Sequence, residues 1–421
     1  MKNAYDNIVK INSFIIALVI LSHTLSGTLS NGFGVMSGAN LYTLIAIVGC
    51  YIVKIIKQAT GNIRTEFYFT YKTAIILFLV FCLFLFSNLI NGEEHSYSII
   101  QLLFYAIIPI LVTTMEFRTE YVLRYAAYLS LFTVLGLDGF LTIRWIGVGQ
   151  ADMGSIYSLV TALICTLFHI RYYGNKANLL MKICYIYNAY LFLRVLMLAN
   201  RGAMFTLLFA IFVSFIFKFD DNGTIKIQTA KKVVIICVVI TVSIVIIQNF
   251  GPIIDWLIEV CKGLFGKVPA ALAKMKFYIQ QNNVLNGRAE INSVTISAIK
   301  ESPIYGHGMD MFYVYTDKEY IYPHNYILQF LFEGGILFAL VPIFYSAGAL
   351  VKVLSGEVKK KEQFVFVAML VCQCFPRLLL SSNVWTDTAI WMLISYSANN
   401  LFVKKIKIFK DLFIRGEKTG Y

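Results

Sequence analysis

Residues 325–351 read NYILQFLFEGGILFALVPIFYSAGALV, a run in which Glu333 is the one charged side chain. A helix needs roughly 20 predominantly apolar residues to cross ~30 Å of hydrocarbon at ~1.5 Å per residue. This stretch meets that requirement. So do eleven others: 11–29, 39–57, 71–90, 97–115, 120–140, 152–171, 178–199, 202–219 and 232–249 before it, and 363–381 and 385–403 after it. Stretches 120–140 and 152–171 carry the most polar or glycine positions, and 178–199 almost touches 202–219. The whole chain has the same character, with 421 residues, 58% hydrophobic, 15% aromatic and 14% charged. A soluble chain has about 45–50% apolar and about 25% charged residues. The expected fold is all-α, a polytopic membrane protein of about 12 transmembrane helices within a range of about 10–14.

The charge balance fits this reading. Lys and Arg number 36 against 23 Asp and Glu, a net charge of +13. A nucleic-acid-binding chain gathers its basic residues in one patch or arm. Here they recur in small groups between apolar runs, as short cytoplasmic loops do, so no nucleic acid is expected as a partner. With a cytoplasmic N-terminus, 25 of the 36 fall on inner segments, among them Lys10, Lys72, Arg118, Arg124, Arg171, Lys176, Lys352 and Lys361, together with the basic tail 404–421. Both termini are then cytoplasmic. The basic N-terminus runs on apolar past the length of a signal sequence, with no evident cleavage site, so it reads as the first membrane helix. Of the eight cysteines all but Cys261 stand in apolar segments and read as small buried hydrophobes.

Eleven basic residues remain. Seven lie in the one long external segment, 250–324: Lys262, Lys267, Lys274, Lys276, Arg288, Lys300 and Lys318. Arg144, Arg194, Arg201 and Arg377 stand at outer boundaries or within spans, where an arginine is costly unless it is paired or faces water. The long segment places apolar residues at helical spacing in WLIEVCKGLFGKVPAALAKMKFYI and RAEINSVTISAIKESPIY. Those stretches read as helices lying on the outer leaflet or capping the bundle. No linker, repeat or low-complexity tract divides the chain, so residues 1–421 form one membrane domain that includes the 250–324 loop.

The densest chemistry lies between Asn286 and Phe338. It begins with Asn286-Gly287-Arg288 and continues with Pro303-x-x-Gly306-x-Gly308-x-x-x-Phe312. His324-Asn325 follows, and nine residues separate it from Gly335, with Glu333 before the glycine pair. In this order and on this side of the membrane, the pattern resembles the O-antigen ligase and polymerase superfamily of Wzy/WaaL-like membrane glycosyltransferases. Ala199-Asn200-Arg201-Gly202 is similar to that family's arginine between two central spans, and Arg144-Trp145-Ile146-Gly147 to an earlier Arg-x-x-Gly element.

The resemblance implies transfer of a glycan from a polyprenyl diphosphate carrier to a hydroxyl of an acceptor glycan, at the outer face of the bacterial cytoplasmic membrane. A departing lipid diphosphate needs positive charge that deprotonation cannot remove, and guanidinium supplies it with bidentate geometry. The acceptor hydroxyl needs a base or hydrogen-bond partner that titrates near working pH, which favours histidine. Arg201 and Arg288 are the expected diphosphate ligands and His324 the group that activates or orients the hydroxyl. Asn325 and Arg144 are further substrate-binding candidates, with Glu333, Gly306, Gly308 and Gly335 in support.

Plainer readings stand beside these. Arg201 is also placed as a snorkelling boundary residue, Arg288 as a solvated position on a loop helix, and His324-Asn325 as a helix cap. Arg144, Arg194 and Arg377 are equally suited to structural pairing with Asp138, Asp152 or Asp387. His23, His95 and His169 read as satisfied or interfacial groups, and His307 as a loop histidine with no role. Gly334-Gly335 reads as a site of close helix packing.

No Asp-x-Asp pair or His/Cys/carboxylate cluster at ligand spacing stands on the outer side, so neither a metal nor a cofactor is expected. The leading activity is a polymerase that joins lipid-linked repeats into O-antigen, capsule or exopolysaccharide. Its expected partners are the lipid-linked oligosaccharide, the acceptor glycan, membrane lipid, a chain-length regulator and a flippase. A ligase is the alternative within the superfamily, and Phe338, where a small or hydroxylated residue is common, leans away from it. An abundance of Ile, Lys, Asn and Tyr points to an AT-rich genome and leans the same way. A flippase or transporter is the alternative of another class, disfavoured by the absence of two related halves.

Overall fold

The structure, a computed structural model, describes residues 2–33, 39–61, 70–91, 99–136, 153–197, 201–219, 225–227, 250–266, 268, 270–280, 288–380 and 383–402. The described part is almost wholly helical. It begins with α1 (Lys2–Ile20), α2 (Ser22–Phe33), α3 (Ala39–Gly61) and α4 (Tyr71–Asn91). Next come α5 (Ile99–Val112), loosened by a π-turn over Leu103–Ile107, and α6 (Thr119–Ser130), which passes into a 3-10 turn. They are followed by α7 (Met153–Tyr173), α8 (Leu179–Met197) and α9 (Arg201–Ile216). A two-stranded antiparallel ribbon follows, with β1 (Phe217–Phe219) facing β2 (Ile225–Ile227) so that Lys218 stands opposite Lys226. The later helices are α10 (Phe250–Phe265), α11 (Ala270–Gln280), α12 (Arg288–Glu301), α13 (Tyr326–Ser355), α14 (Lys361–Leu380) and α15 (Thr388–Tyr396).

The central element is α14, buried without interruption from Phe364 to Pro376. A helix that is apolar on every face belongs inside a bundle, and α7, α9, α13 and α15 surround this one. Large apolar side chains point outward from the periphery, including Ile52 and Ile56 of α3, Phe78 and Leu89 of α4, Ile186 of α8 and Leu208 of α9. Such continuous greasy faces suit hydrocarbon and not water. Within segment 250–324, α10 and α11 pack on each other around Ile254, Ile258 and Leu272, as the sequence periodicity led one to expect.

The expected twelve spans are only partly realised. Among the described residues three helices are long and apolar enough to cross a bilayer, or four if the bent pair Tyr5–Ile20 and Ser22–Leu29 counts as one span. The first expected span is broken by a 64° bend at Leu21, and others fall into shorter apolar helices such as Ile99–Val112 and Gly202–Ile216. Stretch 232–249 and tail 404–421 lie outside the described residues.

The most consequential departure is in α13. Gly335 has φ 57° and ψ −166°, so the helical run is two arms joined by a break. In a straight helix Phe330 and Phe338 stand about 12 Å apart along the axis. Their rings lie 5.8 Å apart, and Tyr326 reaches the Ser346 side chain. The chain therefore turns back at Gly335. Arm 336–355 is by itself long enough to cross a bilayer, and arm 326–334 lies folded back beside it.

Two ends of the bundle can be told apart. Tyr157 lies by Arg377, Cys165 by Met369 and Gln373, and Tyr172 by Phe364, so α7 and α14 run antiparallel. The contacts of Arg171 with the Ser214 carbonyl and of Phe217 with Phe364 align α9 parallel to α7. At one end, Glu362 accepts from the Thr119 amide and the Tyr173 hydroxyl, and Glu120 binds Arg124 and Lys176. Asp6 binds Lys10 and Arg118 there, Lys361 donates to the Tyr172 carbonyl, and Lys72 and Lys352 hold the carbonyls that end the chain's last described turn. These are residues that the charge pattern assigned to the inner side. The starts of α7 and α9 and the end of α14 lie at the opposite end.

Candidate active site

The loop that precedes α13 builds the site. Pro323 restricts Tyr322 to an extended backbone, and His324 follows in the left-handed region at φ 55°. Asn325 then caps the first arm, its Oδ1 accepting from the amides of Ile327 at 3.0 Å and Leu328 at 3.3 Å. The capping role weighed for Asn325 is therefore realised for its oxygen. Because the arm returns into the bundle, it delivers this loop to the level of Phe375, whose ring is 5.6 Å from that of Tyr326. That level is about one turn inside the end of α14.

The rings of Tyr322 and His324 lie 4.3 Å apart. Arg288, the first residue of α12, acts on both electrostatically, and Arg377 of α14 acts on Tyr322 as well. Arg377 lies 5.3 Å from the Tyr157 ring and pairs through Nε with Asp387 Oδ2 at 3.7 Å. The other oxygen of Asp387 caps α15, accepting from Ala389 N at 2.9 Å and Ile390 N at 3.4 Å. Of the pairings weighed for Arg377, the one with Asp387 is found.

Burial first, and the Arg288 charge second, hold the His324 pKa down to about 4. The imidazole is neutral at pH 7 and able to take a proton. Its Nδ1 is buried and has no hydrogen-bond partner among the described residues, so none of them orients the ring through that nitrogen. Burial likewise raises the Tyr322 hydroxyl above its ordinary value, against the opposing pull of Arg377 and Arg288.

The glycines of the motif act on the backbone around this site. At the α13 break the carbonyls of Phe332 and Glu333 accept from the amides of His307 at 2.7 Å and Gly308 at 2.9 Å. The amides of Ile336 and Leu337 donate to Pro303 at 2.9 Å and Ile304 at 3.4 Å. Loop 303–308 thus satisfies the groups that a helix break would leave unpaired. A Cβ at Gly306 would meet the Glu333 carbonyl carbon at 2.5 Å, and one at Gly335 would fall on the Ile304 carbonyl. The expected close helix packing at Gly334-Gly335 is accordingly replaced by a chain reversal with a docked loop. Phe338 packs against Gly334 on the inside of the turn.

Glu333 is held by groups other than Arg288 and His324. It is buried, takes a hydrogen bond from Gln329 Nε2 at 2.8 Å and another from Trp385 Nε1. Gln329 also donates to Asn383 Oδ1 at 2.7 Å and accepts from Val384 N at 3.1 Å. These bonds tie Glu333 to the first arm and, through Trp385, to the 383–386 turn. His307 has a structural place too, stacked on Phe332 at 4.7 Å with Nε2 at 2.8 Å from the Ala298 carbonyl.

Arg201 opens α9, at the same end of the bundle as Tyr157 and Arg377. Its side chain, that of Arg194, and all of Arg144 lie outside the described residues. Tyr157 and Tyr322 were not legible as site residues; a signal for the latter was its place two residues before His324, across Pro323. Among the described residues no group of three or more His, Cys, Asp or Glu could hold a metal ion.

The structure thus defines a helical membrane protein in which Arg288 and Arg377 act electrostatically on Tyr322, and Arg288 on His324, toward one end of the bundle. Residues 186–343 match the model of the family described as O-antigen ligase, which bears out the resemblance to the O-antigen ligase and polymerase superfamily. The matched segment contains Arg201, Arg288, His324 and Gly335 and excludes Arg144 and Arg377. No curated protein matches the chain.

Proposed function

We propose that this protein is a polysaccharide polymerase. In this reading it transfers a glycan from a polyprenyl diphosphate carrier to an acceptor hydroxyl of a lipid-linked repeat at the outer face of the membrane. The observation that carries the reading is the meeting of Arg288 with a neutral, half-buried His324 at the end of the bundle where α9 begins with Arg201. The acceptor oxygen attacks the anomeric carbon and its proton passes to His324. The bond from that carbon to the carrier oxygen breaks, and its electron pair leaves on the diphosphate, which Arg288 and Arg201 hold. Charge-assisted hydrogen bonds of this kind strengthen as negative charge develops on the leaving group.

Donor binding also prepares the base. A diphosphate placed on Arg288 offsets the charge that opposes protonation of His324, so the imidazole becomes more basic once the donor is bound. Arg201→Ala, Arg288→Ala and His324→Ala are each expected to leave single repeats on the carrier in cells. Normal chain length in all three variants would remove the catalytic assignment.

A ligase acting on the same donor is the second reading, favoured by the description of the matched family. Phe338 fills the inside of the α13 turn, so its departure from the ligase pattern has a local packing cause and does not report on the acceptor. Supplying purified protein with repeat units alone separates the two: a polymerase yields a ladder of lengths, and a ligase yields none without a terminal acceptor.

A further inference from the structure

Arg377 lies outside the segment that matches the family, yet it adjoins the residues on which the proposed chemistry rests. Its side chain is 12% exposed and that of Asp387 3%. An arginine so placed, one turn inside the end of a membrane span, is costly and marks either a structural pair or a substrate path. The pairing with Asp387 has a particular form. A tight guanidinium–carboxylate fork closes to roughly 2.7–2.9 Å through two parallel hydrogen bonds. Here the Nε–Oδ2 contact is 3.7 Å, and Asp387 Oδ2 takes no hydrogen bond among the described residues. Asp387 Oδ1 is engaged by the start of α15. The carboxylate therefore orients the guanidinium by charge rather than through a tight fork. The Tyr157 ring lies 5.3 Å from the guanidinium carbon, and Tyr322, whose ring meets His324, lies within its field.

We propose that Arg377, oriented by Asp387 and the Tyr157 ring, is a further donor-binding residue that supplies a cation from α14 to the diphosphate beside Tyr322 and His324. This rests on the reading of the donor as a lipid diphosphate. Two linked phosphates carry more charge than one guanidinium can neutralise, and helices α9, α12 and α14 each bring one to this end of the bundle. Arg288 and Arg201 stand on or near external segments. Arg377 stands on the most buried helix of the bundle, so it is the cation whose position is most firmly fixed.

The test is binding of farnesyl diphosphate and farnesyl monophosphate to the purified full-length protein in lipid nanodiscs. The wild type is expected to prefer the diphosphate. Arg377→Lys keeps the charge and loses the fork, and is expected to weaken diphosphate binding about tenfold with an unchanged melting temperature. The double variant R377Q/D387N leaves no buried carboxylate unpaired, and is expected to lose the preference altogether. Wild-type diphosphate binding in both variants would overturn the proposal and make Arg377 a structural partner only. Equal weakening for both probes together with a fall in melting temperature would overturn it as well. A wild type with no preference for the diphosphate would instead remove the donor reading on which the proposal rests.

Discussion

The Tyr326 hydroxyl reaches the Ser346 side chain, although the two residues stand 20 positions apart in a stretch that reads as one apolar helix. That contact, with the Phe330–Phe338 ring pair, turns the first arm of α13 back into the bundle and sets His324 beside Tyr322. In a straight helix positions 326 and 346 would be about 30 Å apart. A Tyr326→Cys/Ser346→Cys pair is therefore expected to be joined by a bifunctional thiol reagent spanning about 10 Å, well short of that straight-helix separation, with the cross-linked peptide identified by mass spectrometry. Recovery of the two cysteines singly modified would mean that the helix is straight.

The docking of loop 303–308 makes Gly335 irreplaceable. Alanine there must adopt a positive-φ extended backbone that is essentially glycine-only, which costs about 1–3 kcal/mol, and its Cβ meets the Ile304 carbonyl. Gly335→Ala is expected to lower the unfolding temperature in detergent and to abolish activity together. Gly263→Ala in α10 is the control: a Cβ there meets nothing within 4 Å, and alanine in a helix gains up to about 1 kcal/mol over glycine.

Glu333 ties the returning arm to the turn before α15. Glu333→Ala would leave the Trp385 indole N–H and one Gln329 donor without their acceptor, at about 1–3 kcal/mol for each buried orphan. A lower melting temperature and a change in tryptophan emission are expected, with donor affinity falling only as far as the fold does. A fully stable E333A protein would remove Glu333 from the positioning network.

The pH behaviour of His324 follows from the two causes of its low pKa. The working form is the neutral imidazole, so the unliganded protein keeps it from neutral pH down to about pH 4 and loses it below. Arg288→Gln removes the second cause and is expected to move the midpoint upward, as is saturation with farnesyl diphosphate. Histidine-selective NMR titration reads this directly, and an unchanged midpoint in both cases would separate Arg288 from His324.

Much of this was legible in the sequence. The apolar runs gave the membrane class, and the side-by-side clustering of Lys10, Arg118, Arg124, Lys176 and Lys361 at one end matches the charge pattern. Asn286-Gly287-Arg288, Pro303 to Gly308 and His324-Asn325 to Gly335 marked the segment that matches the family. The reversal at Gly335 was not legible, because hydropathy sees only that both arms are apolar. For the same reason the first expected span hid its bend at Leu21. The approach of Arg377 to Tyr157 and Tyr322 joins residues far apart in sequence through the antiparallel register of α7 and α14, which no local pattern encodes.

Glycan transfer from a lipid diphosphate by Arg288 and His324 is the central proposal. The most direct measurement incubates the purified protein in nanodiscs with a polyprenyl-diphosphate-linked repeat unit and resolves the products by length. The expected result is a ladder from the wild type and the unchanged single repeat from His324→Ala and Arg288→Ala. A ladder of normal length from either variant would contradict the account.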